Sequence, residues 1–110
     1  HTDLGCLSLL FHAEAGLQVR LREAGPWEHV QTRRGLAIVN VGETLQFMSN
    51  GSLRSVLHRV APLAQHILQE RFTVGYFMRA ENTASFLGRE GENTTAGSWH
   101  DDKLKAYQLK

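Results

Sequence analysis

The residues able to do chemistry in this chain are His1, Asp3, His58, Arg71 and Thr73. His1 and Asp3 are two apart, so in extended backbone their side chains leave the same face; Arg71 and Thr73 share a face by the same parity. Two neutral imidazoles and a carboxylate on one side of a divalent ion form a facial triad that leaves coordination positions open for substrate and dioxygen. A structural metal site would be closed by a fourth protein ligand, so this set reads as catalytic. His58, in the β-patterned run Ser52–Val60, is the natural third ligand. Arg71 offers a planar fork for a carboxylate, to which the Thr73 hydroxyl adds a hydrogen bond.

These residues stand in an ordered series: His1-Thr2-Asp3, Gly16-Leu17-Gln18-Val19, Asn40-Val41-Gly42-Glu43, Asn50-Gly51, Ser55-Val56-Leu57-His58-Arg59-Val60 and Arg71-Phe72-Thr73. The series resembles the Fe(II)/2-oxoglutarate-dependent dioxygenases of the isopenicillin N synthase-like superfamily, over residues 1 to about 78. His-x-Asp or Arg-x-Thr alone would be a weak signal, and the order of the whole series gives it its specificity. Serine is usual where Thr73 stands, and aspartate is common at the position of Glu43.

The resemblance implies a mainly β double-stranded β-helix, or jelly-roll, fragment with a short C-terminal helix. Residues 1–78 would be the C-terminal part of the catalytic barrel and residues 79–110 a tail. It implies Fe(II) on His1, Asp3 and His58, with 2-oxoglutarate as co-substrate and its distal carboxylate on Arg71 and Thr73. Dioxygen would be the second co-substrate, and hydroxylation, desaturation or ring closure of a small organic molecule would release succinate and carbon dioxide. No side chain beyond the metal site is required as a catalytic acid or base. Two alternatives stay open: an iron-dependent oxidase of this fold that does not use 2-oxoglutarate, and a non-catalytic jelly-roll module whose ligands lie too far apart to share one ion.

Composition agrees with small-molecule chemistry. Lys+Arg 12 against Asp+Glu 11 gives a net charge of +1, which provides no electrostatic footprint for nucleic acid or an acidic membrane surface. No apolar run is long enough to span a bilayer. The lone Cys6 excludes an internal disulfide and fits a reducing, cytoplasmic setting; within the apolar run it reads as a buried structural thiol. The chain is 110 residues long, the size of one small domain, and starts at the first proposed ligand rather than at methionine. That suggests a fragment of a longer enzyme, and the resemblance implies that strands upstream of this histidine supply part of the 2-oxoglutarate pocket, so that the fragment alone would be inactive.

The elements that must position the site follow from periodicity. Leu4–Phe11 is nearly continuously apolar, as in a strand buried on both faces. Leu17, Val19 and Leu21 alternate with Gln18, Arg20 and Arg22, the pattern of a strand with one wet face. Trp27–Gln31 and Leu36–Val41 read as further strands, Glu43–Ser49 as a helical turn, and Asn50-Gly51 as a turn into Ser52–Val60. Ala61–Glu70, with Pro62 closing the strand, reads as a loop. In the strand Arg71–Phe77, positions 71, 73, 75 and 77 share a face, so Gly75 leaves space beside the co-substrate and Phe77 either faces the substrate pocket or is simply core. Glu81–Gly97 reads as loop, and Ser98 as the cap of a C-terminal helix packed outside the barrel. His12, His29, His66 and His100 read as surface or structural histidines, His29 being the substitute ligand should His58 fail.

Overall fold

Strand β1 (Leu7–His12) is the centre of an antiparallel sheet with β4 (Ile38–Val41) on one side and β6 (Thr73–Met78) on the other. Its alternation divides that sheet into two unlike faces. Ser8 is opposite Asn40 and Phe77, Leu10 is opposite Ile38 and Gly75, and His12 is opposite Thr73. The other face carries Phe11, Val39, Val74, Tyr76 and Met78, all exposed. A second antiparallel sheet places β2 (Leu17–Arg20) between β3 (Glu28–His29) and β5 (Leu57–Val60). The chain thus passes back and forth between the two sheets. The computed structural model describes residues 1–12, 14–61, 70–88 and 90–108.

Helix α1 (Glu43–Met48) leaves β4 through Gly42, whose side chain cannot cap it. The backbone amides at its start are instead satisfied by carbonyls from the segment ahead of β1. Gly42 N donates to Cys6 O at 2.8 Å, Glu43 N to Asp3 O at 2.7 Å and Thr44 N to Leu4 O at 3.2 Å. A Cβ on Gly42 would collide with the Gly5 carbonyl, so this close approach requires glycine. The Thr44 hydroxyl adds a bond to Leu4 O at 2.6 Å. Asn50 and Gly51, at φ 51° and 77°, then end α1, with Gly51 N donating to Gln46 O.

After β6 the chain makes a hairpin of β7 (Ser85–Leu87) and β8 (Asn93–Thr95) and enters α2 (Ala96–Gln108). Thr95 Oγ1 accepts from Ser98 N at 3.2 Å, so Thr95 caps the helix rather than Ser98. Trp99 of α2 packs against Phe47 of α1 and Phe86 of β7, with ring centroids 5.2 and 6.4 Å away. Lys103 Nζ meets Glu43 Oε2 at 2.8 Å, and Glu43 Oε1 accepts from the Thr2 hydroxyl. Three separated parts of the chain are joined there.

The fold is mainly β with a C-terminal helix. Several expected boundaries shift. Residues 4–6 form the bend that receives α1 rather than the start of β1, and of β1 only Ser8 is fully buried, so the strand is not covered on both faces. Gln18 is buried rather than wet, because it bonds His29 Nε2 at 2.9 Å and accepts from Arg59 Nε at 2.8 Å. Arg59 and Arg20 stack on the Trp27 ring at 4.2 and 4.4 Å. Ser52–Val60 shortens to β5, since Ser55 N is taken by the Gln46 side chain at 2.7 Å. The stretch expected as loop, Glu81–Gly97, contains β7 and β8. Pro62, His66 and most of the expected Ala61–Glu70 loop lie outside the described residues.

Candidate metal centre

The lead-in to β1 crosses from one sheet to the other at residue 1. His58 N donates to His1 O at 2.9 Å and His1 N donates to His58 O at 3.1 Å, a one-residue antiparallel bridge to β5. Residues 1–3 therefore alternate as a strand would, although they belong to none of the strands. Thr2 turns to Glu43, while His1 and Asp3 turn to His58.

His1, Asp3 and His58 each offer a ligand atom, and these atoms lie within 4.8 Å of one another. Asp3 Oδ1 stands 3.6 Å from His1 Nε2 and 3.5 Å from His58 Nε2. The imidazole centroids are 4.4 Å apart, edge to face. Among the described residues this is the one such cluster of His, Cys, Asp and Glu. The Asp3 and His58 side chains are only 11% and 12% exposed, while that of His1 is 66% exposed, so the site is open on one side.

Each of the two buried ligands is oriented from behind. Asp3 Oδ2 accepts from Ser8 Oγ at 2.5 Å and from Asn40 Nδ2 at 2.9 Å, leaving Oδ1 to face the imidazoles. His58 Nδ1 lies 3.1 Å from the Val56 carbonyl. A carbonyl only accepts, so Nδ1 carries the proton there and Nε2 keeps its lone pair for an ion. The donor set of two imidazoles and one carboxylate, with an open side, suits ferrous iron.

Phe77 lines a cavity of about 420 Å³ together with His1 and Asp3. Its ring also leans over Gly75, where a Cβ would lie 3.0 Å from Phe77 Cε2, so the space expected at Gly75 is filled. Arg71 and Thr73 do not line this cavity. The Arg71 side chain runs beside Gly16, where a Cβ would come within 3.4 Å of Nε. That Nε is buried with no hydrogen-bond partner among the described residues, and Thr73 is exposed. The other described histidines divide. His12 Nδ1 bonds Glu14 O at 2.8 Å and His29 bonds Gln18, whereas His100 lines the cavity beside His1.

Sequence reasoning did not single out Ser8 or Asn40 as partners of the metal site, and it read His100 as structural. Ser8 had a signal as the hydroxyl inside an apolar run, and the pairing of Ser8 with Asn40 explains why both reach Asp3. His100 had none, since only the docking of α2 brings it to the site.

Known proteins match this chain over nearly all of its length. It is 42% identical over 108 residues, covering 98% of this chain and 34% of the relative, to the 2-oxoglutarate-dependent dioxygenase frbH of a Dothideomycetidae species. It is 44% identical, covering 98% of this chain and 32% of the relative, to the 2-oxoglutarate-dependent dioxygenase gloE of Glarea lozoyensis. The chain thus spans about a third of the length of these curated relatives. Its fold superposes with a TM-score of 0.81, at 26% identity, on the crystal structure of a full-length Neurospora crassa protein in complex with alpha-KG and thymine, covering 97% of this chain and 36% of that one. The sequence profile of the 2OG-Fe(II) oxygenase superfamily matches residues 1–80, the stretch that contains the whole imidazole and carboxylate cluster, and the chain belongs to that superfamily.

Proposed function

We propose that the gene product carrying this chain is an Fe(II)/2-oxoglutarate-dependent dioxygenase that hydroxylates, desaturates or cyclises a small organic molecule. The observation that carries this reading is the meeting of His1, Asp3 and His58 within 4.8 Å beside a cavity. A non-catalytic module would be expected to have these ligands apart.

His1, Asp3 and His58 would hold Fe(II), with His1 Nε2, Asp3 Oδ1 and His58 Nε2 the atoms turned toward one another. When bound there, ferrous iron with 2-oxoglutarate and dioxygen supplies the oxidising power to attack an unactivated C–H bond, with succinate and carbon dioxide as by-products. Ser8 and Asn40 fix the Asp3 carboxylate, and the Val56 carbonyl fixes the His58 ring. Arg71 and Thr73 anchor the far carboxylate of 2-oxoglutarate; the buried, unpartnered Arg71 Nε is a donor in want of such an acceptor. Phe77 walls the substrate side of the cavity. The two sheets are read as halves of a double-stranded β-helix, with residues 1–78 as part of that barrel and residues 79–110 as the segment that closes on it. Among the described residues no helix is long and apolar enough to cross a membrane, and Cys6 is free, which supports a reducing, cytoplasmic setting.

The test is anaerobic addition of Fe(II) and 2-oxoglutarate to the full gene product. A metal-to-ligand charge-transfer band, followed by succinate on admitting air, is the expected result. Absence of both rejects the reading, and oxygen uptake that needs no 2-oxoglutarate would replace it with an oxidase.

A further inference from the structure

The cavity beside His1 and Asp3 is lined as well by groups that the metal chemistry leaves unused. Phe77 and, just beyond the end of β6, Arg79 line it from the first sheet, and His100 and Tyr107 line it from α2. His100 and Tyr107 are seven residues apart, two helical turns, and so share a face of α2. The contacts of Trp99 and Lys103 with Phe47 and Glu43 hold that face against the site.

His100 is unusual among these groups. Its side chain is only 15% exposed, and Nδ1 is buried without a hydrogen-bond partner among the described residues. The Asp101 carboxylate, at 3.8 Å, is beyond hydrogen-bond range. Arg79 makes no ion pair with any described residue. An imidazole nitrogen with no hydrogen-bond partner and an exposed guanidinium with no ion pair among the described residues therefore line the same cavity as the aromatic side chains of Phe77 and Tyr107. A buried polar atom costs free energy unless something bonds it, and an acceptor on a ligand would supply the bond.

We infer that His100 and Arg79 bind the anionic group of the organic substrate, a carboxylate on a planar, apolar body that lies between Phe77 and Tyr107. The inference rests on the dioxygenase reading for its chemistry and adds to it a substrate class and the two residues that select it. A volume of about 420 Å³ accommodates a ligand of one or two rings. His100 is here a substrate-binding residue with no part in oxygen activation.

Benzoate and the uncharged benzamide are suitable probes, titrated calorimetrically into the full gene product, both metal-free and loaded with Fe(II) and 2-oxoglutarate. Benzoate should bind at least about tenfold tighter than benzamide, because charge-assisted hydrogen bonds are the stronger ones. His100→Leu and Arg79→Leu should each weaken benzoate about tenfold or more and leave benzamide within about twofold. His100→Asn, which keeps an amide donor near Nδ1, should recover part of the loss, and the charge-transfer band should be unchanged in all three variants. Equal binding of the two probes, no binding of benzoate, or benzoate affinity indifferent to both leucine substitutions overturns the proposal. Should His100→Leu fail to fold, His100→Asn and Arg79→Leu still decide it. A wild-type protein that lacks the charge-transfer band would sink the dioxygenase reading alone, since the metal-free titrations judge the anion site separately.

Discussion

The two oxygens of Asp3 have separate tasks, Oδ2 held by Ser8 and Asn40 and Oδ1 turned to both imidazoles. Asn40→Leu removes one of those holds from a carboxylate that is 11% exposed, so ferrous or zinc affinity should fall roughly 10- to 100-fold, as measured by competition with a chromogenic chelator. Arg71→Lys keeps the positive charge and loses the planar fork. The 2-oxoglutarate concentration giving half-maximal charge-transfer absorbance should rise roughly 10-fold or more, while metal affinity stays unchanged. At this scale much was legible in the sequence, because residue type and period-2 parity suffice to pair His1 with Asp3. The partners that aim them were not, since Ser8 and Asn40 meet Asp3 only through the pairing of two strands far apart in the chain. His100 was illegible for the same reason, its neighbours being set by helix docking.

Helix α2 reaches the site by three attachments: the Thr95 cap, the Trp99 stack and the Lys103–Glu43 pair. Thr95→Ala should cost about 1 kcal/mol of unfolding free energy, read from the denaturation midpoint at constant slope. Trp99→Ala removes the aromatic that joins α1, β7 and α2. Because Trp99 is only half-buried, the loss should be about 2–3 kcal/mol, below the full core value, with weaker protection of the α2 amides from hydrogen exchange. The elements with clear alternation or strong turn signals were readable, among them β2, β4 and α1. The hairpin of β7 and β8 was not, because three-residue strands are too short to display a period and their Gly-, Asn- and Thr-rich surroundings read as loop. The Asn50-Gly51 signal marked a real change of direction, the two residues ending α1 with positive φ.

Taken whole, the 110 residues expose 8150 Å², against about 6100 Å² expected of a folded chain of this mass. The radius of gyration of 15.7 Å likewise exceeds the roughly 13 Å of a compact domain of this length. Leu17 and Ala96 are the only buried apolar residues among those described. The exposed apolar surface lies above all on the outer face of the first sheet, where Val39, Val74 and Tyr76 are 61%, 69% and 61% exposed. Prepared alone, the 110 residues should therefore self-associate and bind an apolar dye, and Val74→Lys with Tyr76→Lys should reduce both in light scattering and fluorescence. The backbone bridge between His1 and His58 has a further consequence for the molecule as a whole. It closes a loop spanning 57 residues with two hydrogen bonds, and an ion shared by the same two residues would rivet that closure. Occupancy and folding then become linked quantities: free metal at a hundred times its dissociation constant should raise unfolding free energy by about 2.7 kcal/mol, and Asp3→Ala should abolish the increment in a melting experiment. The ion would thus fasten the polypeptide as well as serve as its reagent.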